Sequence, residues 1–79
     1  MEPQEIYSRL QSLFDDLFME RVVVTPELSA KEVAEWDSLM QISLVVAVEK
    51  EFGVRFRTGE VEATKNLGEF VALIQKRAA

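Results

Sequence analysis

The sequence predicts an all-α fold, a bundle of three main helices and one short one, with a long loop between helices one and two. Three observations carry that expectation. Ile6, Leu10, Leu13, Phe14 and Leu17 recur at the spacing of one helix face. The stretch from Ser38 to Phe52 holds no Gly or Pro and is followed at once by Gly53, a natural stop. Asn66, with Glu69 three residues on, has the spacing of a helix start, and Leu67, Phe70, Val71 and Ile74 then mark a buried face.

The first helix is expected near 3–18, since Pro3 is tolerated in a first turn and Glu5, Arg9, Gln11, Ser12, Asp15 and Asp16 fill the opposite face. Val22-Val23-Val24-Thr25-Pro26 then breaks the pattern. It is β-branched, and proline cannot continue a helix, so this reads as an extended segment opening a loop that runs to Asp37. Val22, Val24 and Leu28 are the side chains able to pin that loop to the core. The second helix is expected over 38–52. Val54 to Arg57 alternates like a strand, but four residues without a partner are better read as a linker with Val54 and Phe56 turned inward. Thr58 to Thr64 can make a short helical turn, and the last helix is expected over 67–77. The core is expected to hold Leu10, Leu13, Phe14, Leu44, Val45, Val48, Phe52, Phe70 and Ile74.

Composition narrows the function. The chain has 79 residues, one domain's worth, and 48% of them are hydrophobic, enough for a small core. It contains no cysteine and no histidine, which removes disulfides, thiolate metal sites and the commonest general base. No calcium-loop spacing occurs either, so neither a catalytic nor a metal site is expected. The net charge of −5 disfavours nucleic acid and anionic membrane, and points to partners with basic patches. The N-terminus lacks the pattern of a signal peptide, and the longest apolar run, Leu44 to Val48, is too short for a bilayer. A cytoplasmic protein is expected.

The second helix carries apolar residues on two sides. At 100° per residue Leu44, Val45, Val48 and Phe52 cluster on one side, with Leu39, Ile42 and Val46 nearly opposite. Either the long loop covers the second side, or it stands open as an aliphatic stripe for partners. Gln41 falls on the core side and needs a hydrogen bond there.

Ser38 opens this helix. One reading is a helix cap, with Gln41 three residues later completing a capping box. A nucleophile working alone is excluded by the lack of histidine. The remaining role is acceptor of a group attached by another enzyme, whose phosphate would face the positive end of the helix dipole.

The stretch Asp37-Ser38-Leu39, then Ile42, Leu44-Val45, Glu49 and Glu51-Phe52 resembles the attachment-site helix of acyl carrier proteins, and the order of helices along the chain is similar too. The resemblance implies that a phosphopantetheinyl transferase links 4'-phosphopantetheine from coenzyme A to Ser38. The thiol of that arm then holds an acyl or aminoacyl thioester for acyl-activating, acyltransferase or synthase enzymes. By the same resemblance, Asp37 and Leu39 are positions that transferases and clients touch, and Ile42, Ser43, Val46 and Glu49 form the docking face. Ala34 stands where the family usually has glycine. Met40, Gln41 and Ser43 stand where fatty-acid-synthesis carriers often place acidic residues or threonine, and Trp36 is more typical of discrete carriers in specialised pathways. The whole chain, 1–79, is expected to be one monomeric, non-catalytic carrier domain. The competing expectations are an aminoacyl or peptidyl carrier, and a helical adaptor that shows the Leu39/Ile42/Val46 stripe and is never modified.

Overall fold

The computed structural model describes residues 1–57 and 59–78, and among these it contains three α-helices and no strand. α1 spans Pro3–Leu17, α2 spans Ser38–Phe52 and α3 spans Leu67–Ala78. α1 opens with proline in its first turn and closes with the Phe18 N–H donating to the Phe14 carbonyl at 2.9 Å. α2 ends where sequence placed the stop: Gly53 adopts φ +65°, a left-handed conformation that glycine takes without a Cβ penalty.

Ile6, Leu10 and Phe14 of α1 meet Leu44, Val48 and Phe52 of α2, and Leu67, Phe70, Val71 and Ile74 of α3, in one core. α1 and α2 run antiparallel. At one end the Arg9 guanidinium lies 5.8 Å from the Phe52 ring centre and 3.7 Å from the Glu51 carboxylate. At the other end Trp36, just ahead of α2, packs edge-on to Phe14 and Phe18 at 5.3 and 6.0 Å between ring centres.

The expected core holds with two shifts. Leu13 and Val45 are half-buried at its margin, while Phe18, Val22, Val54 and Val61, from segments outside the helices, are inside it. A bundle this small cannot close its core with helices alone, so its connections supply side chains.

The long loop is tied down by backbone groups. Gln11 on α1 donates to the Val22 carbonyl at 2.8 Å and accepts from the Val24 N–H at 2.9 Å, so one amide side chain serves as the partner that this extended segment lacks. A 3₁₀ turn, Ala30–Glu32, follows; it was not foreseen, though the Glu32 carboxylate accepts the Ser29 N–H at 2.8 Å as in a capping box. The loop then meets the start of α3. The Leu67 and Gly68 N–H groups, which the helix cannot satisfy itself, donate to the Leu28 and Pro26 carbonyls at 2.8 and 2.9 Å. A Cβ at Gly68 would stand 3.1 Å from the Pro26 oxygen, a tight contact that the loop would have to yield to by a few tenths of an ångström. Asn66 caps α3 by accepting the Glu69 N–H at 2.9 Å, and Glu69 reaches back to the Lys65 N–H, one residue earlier than a capping box requires.

Residues 59–63 form the short turn, with the Ala63 N–H donating to the Gly59 carbonyl at 3.1 Å; Thr58, its expected first residue, lies outside the described residues. Glu60 pairs with Arg77 of α3 and accepts the backbone N–H of Arg57. The partner from α3 is part-buried, whereas the neighbouring arginines extend into water.

Two expected outcomes follow from this packing. Val48 is fully buried and Val46, about 200° away around α2, is 46% exposed. Val48→Glu should cost several kcal/mol by burying an unpaired charge, and Val46→Glu should stay within about 0.5 kcal/mol in chemical denaturation. Equal destabilisation would mean that α2 is covered on both faces. The second outcome concerns pH. Glu60 is held below its ordinary value of 4.5 by the Arg77 guanidinium and the Arg57 N–H, and Glu35 by the backbone N–H groups of Glu20 and Met19. Both carboxylates bind protons less readily folded than unfolded. Their stabilisation is therefore complete above the ordinary value and is lost as pH falls through the depressed one. Midpoints measured from pH 7 downward should fall on the acidic side for the native protein, and by less for Glu35→Gln. Identical pH profiles would show that the Glu35 bonds do not persist in solution.

Candidate functional site

The site is built at the junction of the long loop and α2. Four consecutive residues are held there by different means, and the fifth is left free. Glu35 accepts the Met19 and Glu20 N–H groups at 3.1 and 2.9 Å, tying the approach to the end of α1. Trp36 packs on Phe14 and Phe18, and its indole N–H donates to Gln41 Oε1 at 2.6 Å. Asp37 accepts the Met40 N–H on its carboxylate at 2.8 Å, and the Gln41 N–H on its backbone carbonyl at 2.9 Å. Ala34, the fourth fixed residue, lies in the turn closed by the Trp36 N–H and Val33 carbonyl at 3.1 Å. Ser38 follows, exposed, as the first residue of α2.

The helix cap therefore belongs to Asp37, one residue earlier than sequence suggested, and the capping box of Ser38 with Gln41 does not form. The reason is geometric. A cap reaches the amide three residues on, and the Gln41 amide that Ser38 would need is already bonded to the Asp37 carbonyl. The Gln41 side chain is likewise engaged elsewhere, on Trp36. This answers how a polar residue fits the core side of α2.

The arrangement fits a phosphoryl group esterified to Ser38. The hydroxyl is accessible and is not needed for the cap. The Ser38 and Leu39 amides, the two of the first turn that Asp37 does not engage, and the positive end of the α2 dipole favour an anion beside it. An open groove of about 1060 Å³ runs from Ser38 past Gln41, Val45 and Phe56 to Phe70. Phe56 and Phe70 lie 5.7 Å apart between ring centres and form its apolar side.

Of the expected docking residues, Leu39, Ile42 and Val46 are 73, 62 and 46% exposed, and Asp37 and Ser43 are exposed beside them. Glu49 differs. It is half-buried, and its carboxylate accepts the Phe56 N–H at 2.9 Å, so part of its capacity is spent on holding the linker after α2. The roles of Glu35 and of the Trp36–Gln41 bond were missed from sequence. Only Gln41 left a signal, as a polar residue in an apolar phase.

Comparison with known proteins agrees with this geometry. Residues 32–74 match the family model described as phosphopantetheine attachment site. The acyl carrier protein of Thermosynechococcus vestitus is 31% identical over 80 residues, covering 100% of this chain and 99% of that one. The meromycolate extension acyl carrier protein of Mycolicibacterium aurum is 31% identical, over 92% of this chain and 76% of its own. The solution structure of the holo acyl carrier protein from Geobacter metallireducens superposes with a TM-score of 0.82 at 32% identity, covering 90% of this chain and 83% of that one. The function these relatives share is carriage of acyl groups on a covalent 4'-phosphopantetheine, so the partners it requires are a phosphopantetheinyl transferase and the enzymes that load and use the acyl group. An exposed serine at the start of α2, a family model whose match spans more than half of the chain and relatives matched along their length lead to one conclusion: this chain belongs to the acyl carrier protein family.

Proposed function

We propose that Ser38 is the residue that carries the phosphopantetheine arm, and that the chain is a single, non-catalytic carrier domain working in the cytoplasm as a monomer. The observation that carries this reading is the placement of Ser38. It is exposed at the first position of α2, directly after a cap that fixes the backbone without using its hydroxyl. Bound there, the arm supplies a thiol on which a cysteine-free protein can hold a thioester. Ser38 offers its hydroxyl oxygen to the transferase, the amides at the start of α2 stabilise the phosphate, and Asp37 keeps that turn formed.

Docking is assigned to Leu39, Ile42 and Val46, with Asp37 and Ser43 at the border and Glu49 contributing what its bond to Phe56 leaves free. The exposed aliphatic stripe supports an apolar contact, and the charge of −5 supports partners with basic surroundings. No helix among the described residues is long and apolar enough to cross a membrane.

Intact mass tests the attachment. Treated with coenzyme A and a broad-specificity transferase, the protein should gain about 340 Da, the size of the arm. Ser38→Ala should abolish the gain with little change in melting temperature, because it removes no cap. Asp37→Ala should instead cost about 1 kcal/mol. A mass gain that survives in Ser38→Ala would end the assignment. For docking, Val46→Glu should raise KM for loading with the fold intact, and unchanged kinetics would exclude Val46 from the contact.

A further inference from the structure

Gln41 is the one polar side chain on the core side of α2, and its bond to Trp36 has a consequence for its other end. An indole N–H can only donate, so the side-chain oxygen of Gln41 must be the atom that accepts at 2.6 Å. That fixes the amide plane and turns the NH₂ group away from the indole. Trp36 itself packs edge-on against the stacked rings of Phe14 and Phe18, so the orientation is imposed by packing that extends into α1. Among the described residues, Gln41 Nε2 meets no acceptor, and it is not among the fully buried atoms left without one, so the NH₂ group keeps some exposure and is free to donate.

Gln41 also lies in the right place. It is three residues after Ser38, hence on the same side of α2, and helical side chains lean toward the N-terminus, here toward Ser38. Both residues line the groove, whose wall beyond Gln41 turns apolar at Val45, Phe56 and Phe70. A fixed donor thus stands between the attachment point and the apolar stretch. The group joined to Ser38 has matching chemistry: beyond its phosphate it presents a hydroxyl and two amide carbonyls before the thiol.

We propose that Gln41 is a binding residue for the arm, its oxygen locked by Trp36 and its NH₂ group donating to an amide carbonyl of phosphopantetheine when the arm lies in the groove. This rests on the carrier reading. Gln41 holds the polar part of the arm at the mouth and leaves the apolar wall to the cargo. The bond is neutral and shared with water, so it biases the arm toward the groove without preventing its release to an enzyme.

Isotope-labelled protein in its unmodified and loaded forms tests this by NMR, after intact mass has confirmed loading. The loaded form should show nuclear Overhauser contacts between the Gln41 NH₂ protons and the arm, and a shift of those protons, with the single indole N–H resonance of Trp36 unmoved. Gln41→Glu keeps the oxygen that accepts from Trp36 but has no N–H to donate. It should load to the same mass and keep the indole resonance, yet lose the contacts to the arm. A loaded protein whose Gln41 NH₂ signals match the unmodified form, or a Gln41→Glu protein whose arm contacts persist, would overturn the proposal. The wild-type comparison decides the matter alone if the variant does not fold. Absence of any mass gain would instead remove the carrier reading itself.

Discussion

The wedge of Trp36 between the end of α1 and the start of α2 is the contact on which the site depends. Phe14 and Phe18 stack on each other at 5.0 Å between ring centres, and the indole meets both edge-on. Aromatic pairs of this kind add about 0.5–1.5 kcal/mol beyond the area they bury. The indole also bonds Gln41, one turn into α2. The long loop thereby arrives at Asp37 from a fixed direction, and the cap on Met40 can form. Without the wedge, Asp37 could still cap the helix, but the segment leading into it would be anchored by Glu35 alone. A serine that another enzyme must find is best placed at the exit of such an elbow, fixed in backbone and free in side chain.

The same logic explains why the loop between α1 and α2 is ordered despite its length. Its backbone groups are paired with side chains and helix ends: Gln11 with Val22 and Val24, and the Pro26 and Leu28 carbonyls with the first amides of α3. Each pairing satisfies groups that would otherwise need water, and each joins the loop to a different helix. The loop therefore contributes to the groove wall, where Leu28 faces the same space as Phe70. The linker after α2 is held similarly by Glu49 on the Phe56 N–H. The groove is thus bounded by segments whose positions depend on a few side chain to backbone bonds, in keeping with a site that must admit and release an arm.

Much of this was legible in the sequence. Helical period placed Ile6, Leu10 and Phe14 on one face and separated Val48 from Val46 on α2, because burial on a helix follows its phase. Gly53 marked the end of α2 and Asn66 the start of α3, since both act through local geometry. What was not legible was either degenerate or distant. Asp37 and Ser38 are equally good cap residues, and only the amide each can reach distinguishes them. Glu60 had arginines nearby in sequence, yet pairs with Arg77, 17 residues on, which the fold brings to it. Glu35 gave no sign at all, because a carboxylate that accepts two amides from another helix end looks in sequence like any surface acid. The resemblance of the attachment stretch supplied what helix physics alone left open, namely why an exposed serine should follow a complete cap.

The central claim is that this one serine, and no other, is offered for modification by the elbow that precedes it. Peptide mapping by tandem mass spectrometry of the wild-type protein, after treatment with coenzyme A and a transferase, tests that most directly. The account predicts that the arm is found wholly on Ser38, with Ser8, Ser12, Ser29 and Ser43 unmodified, although Ser43 is also exposed on the same helix. Recovery of the arm on any of those four serines, or an even spread among them, would contradict it.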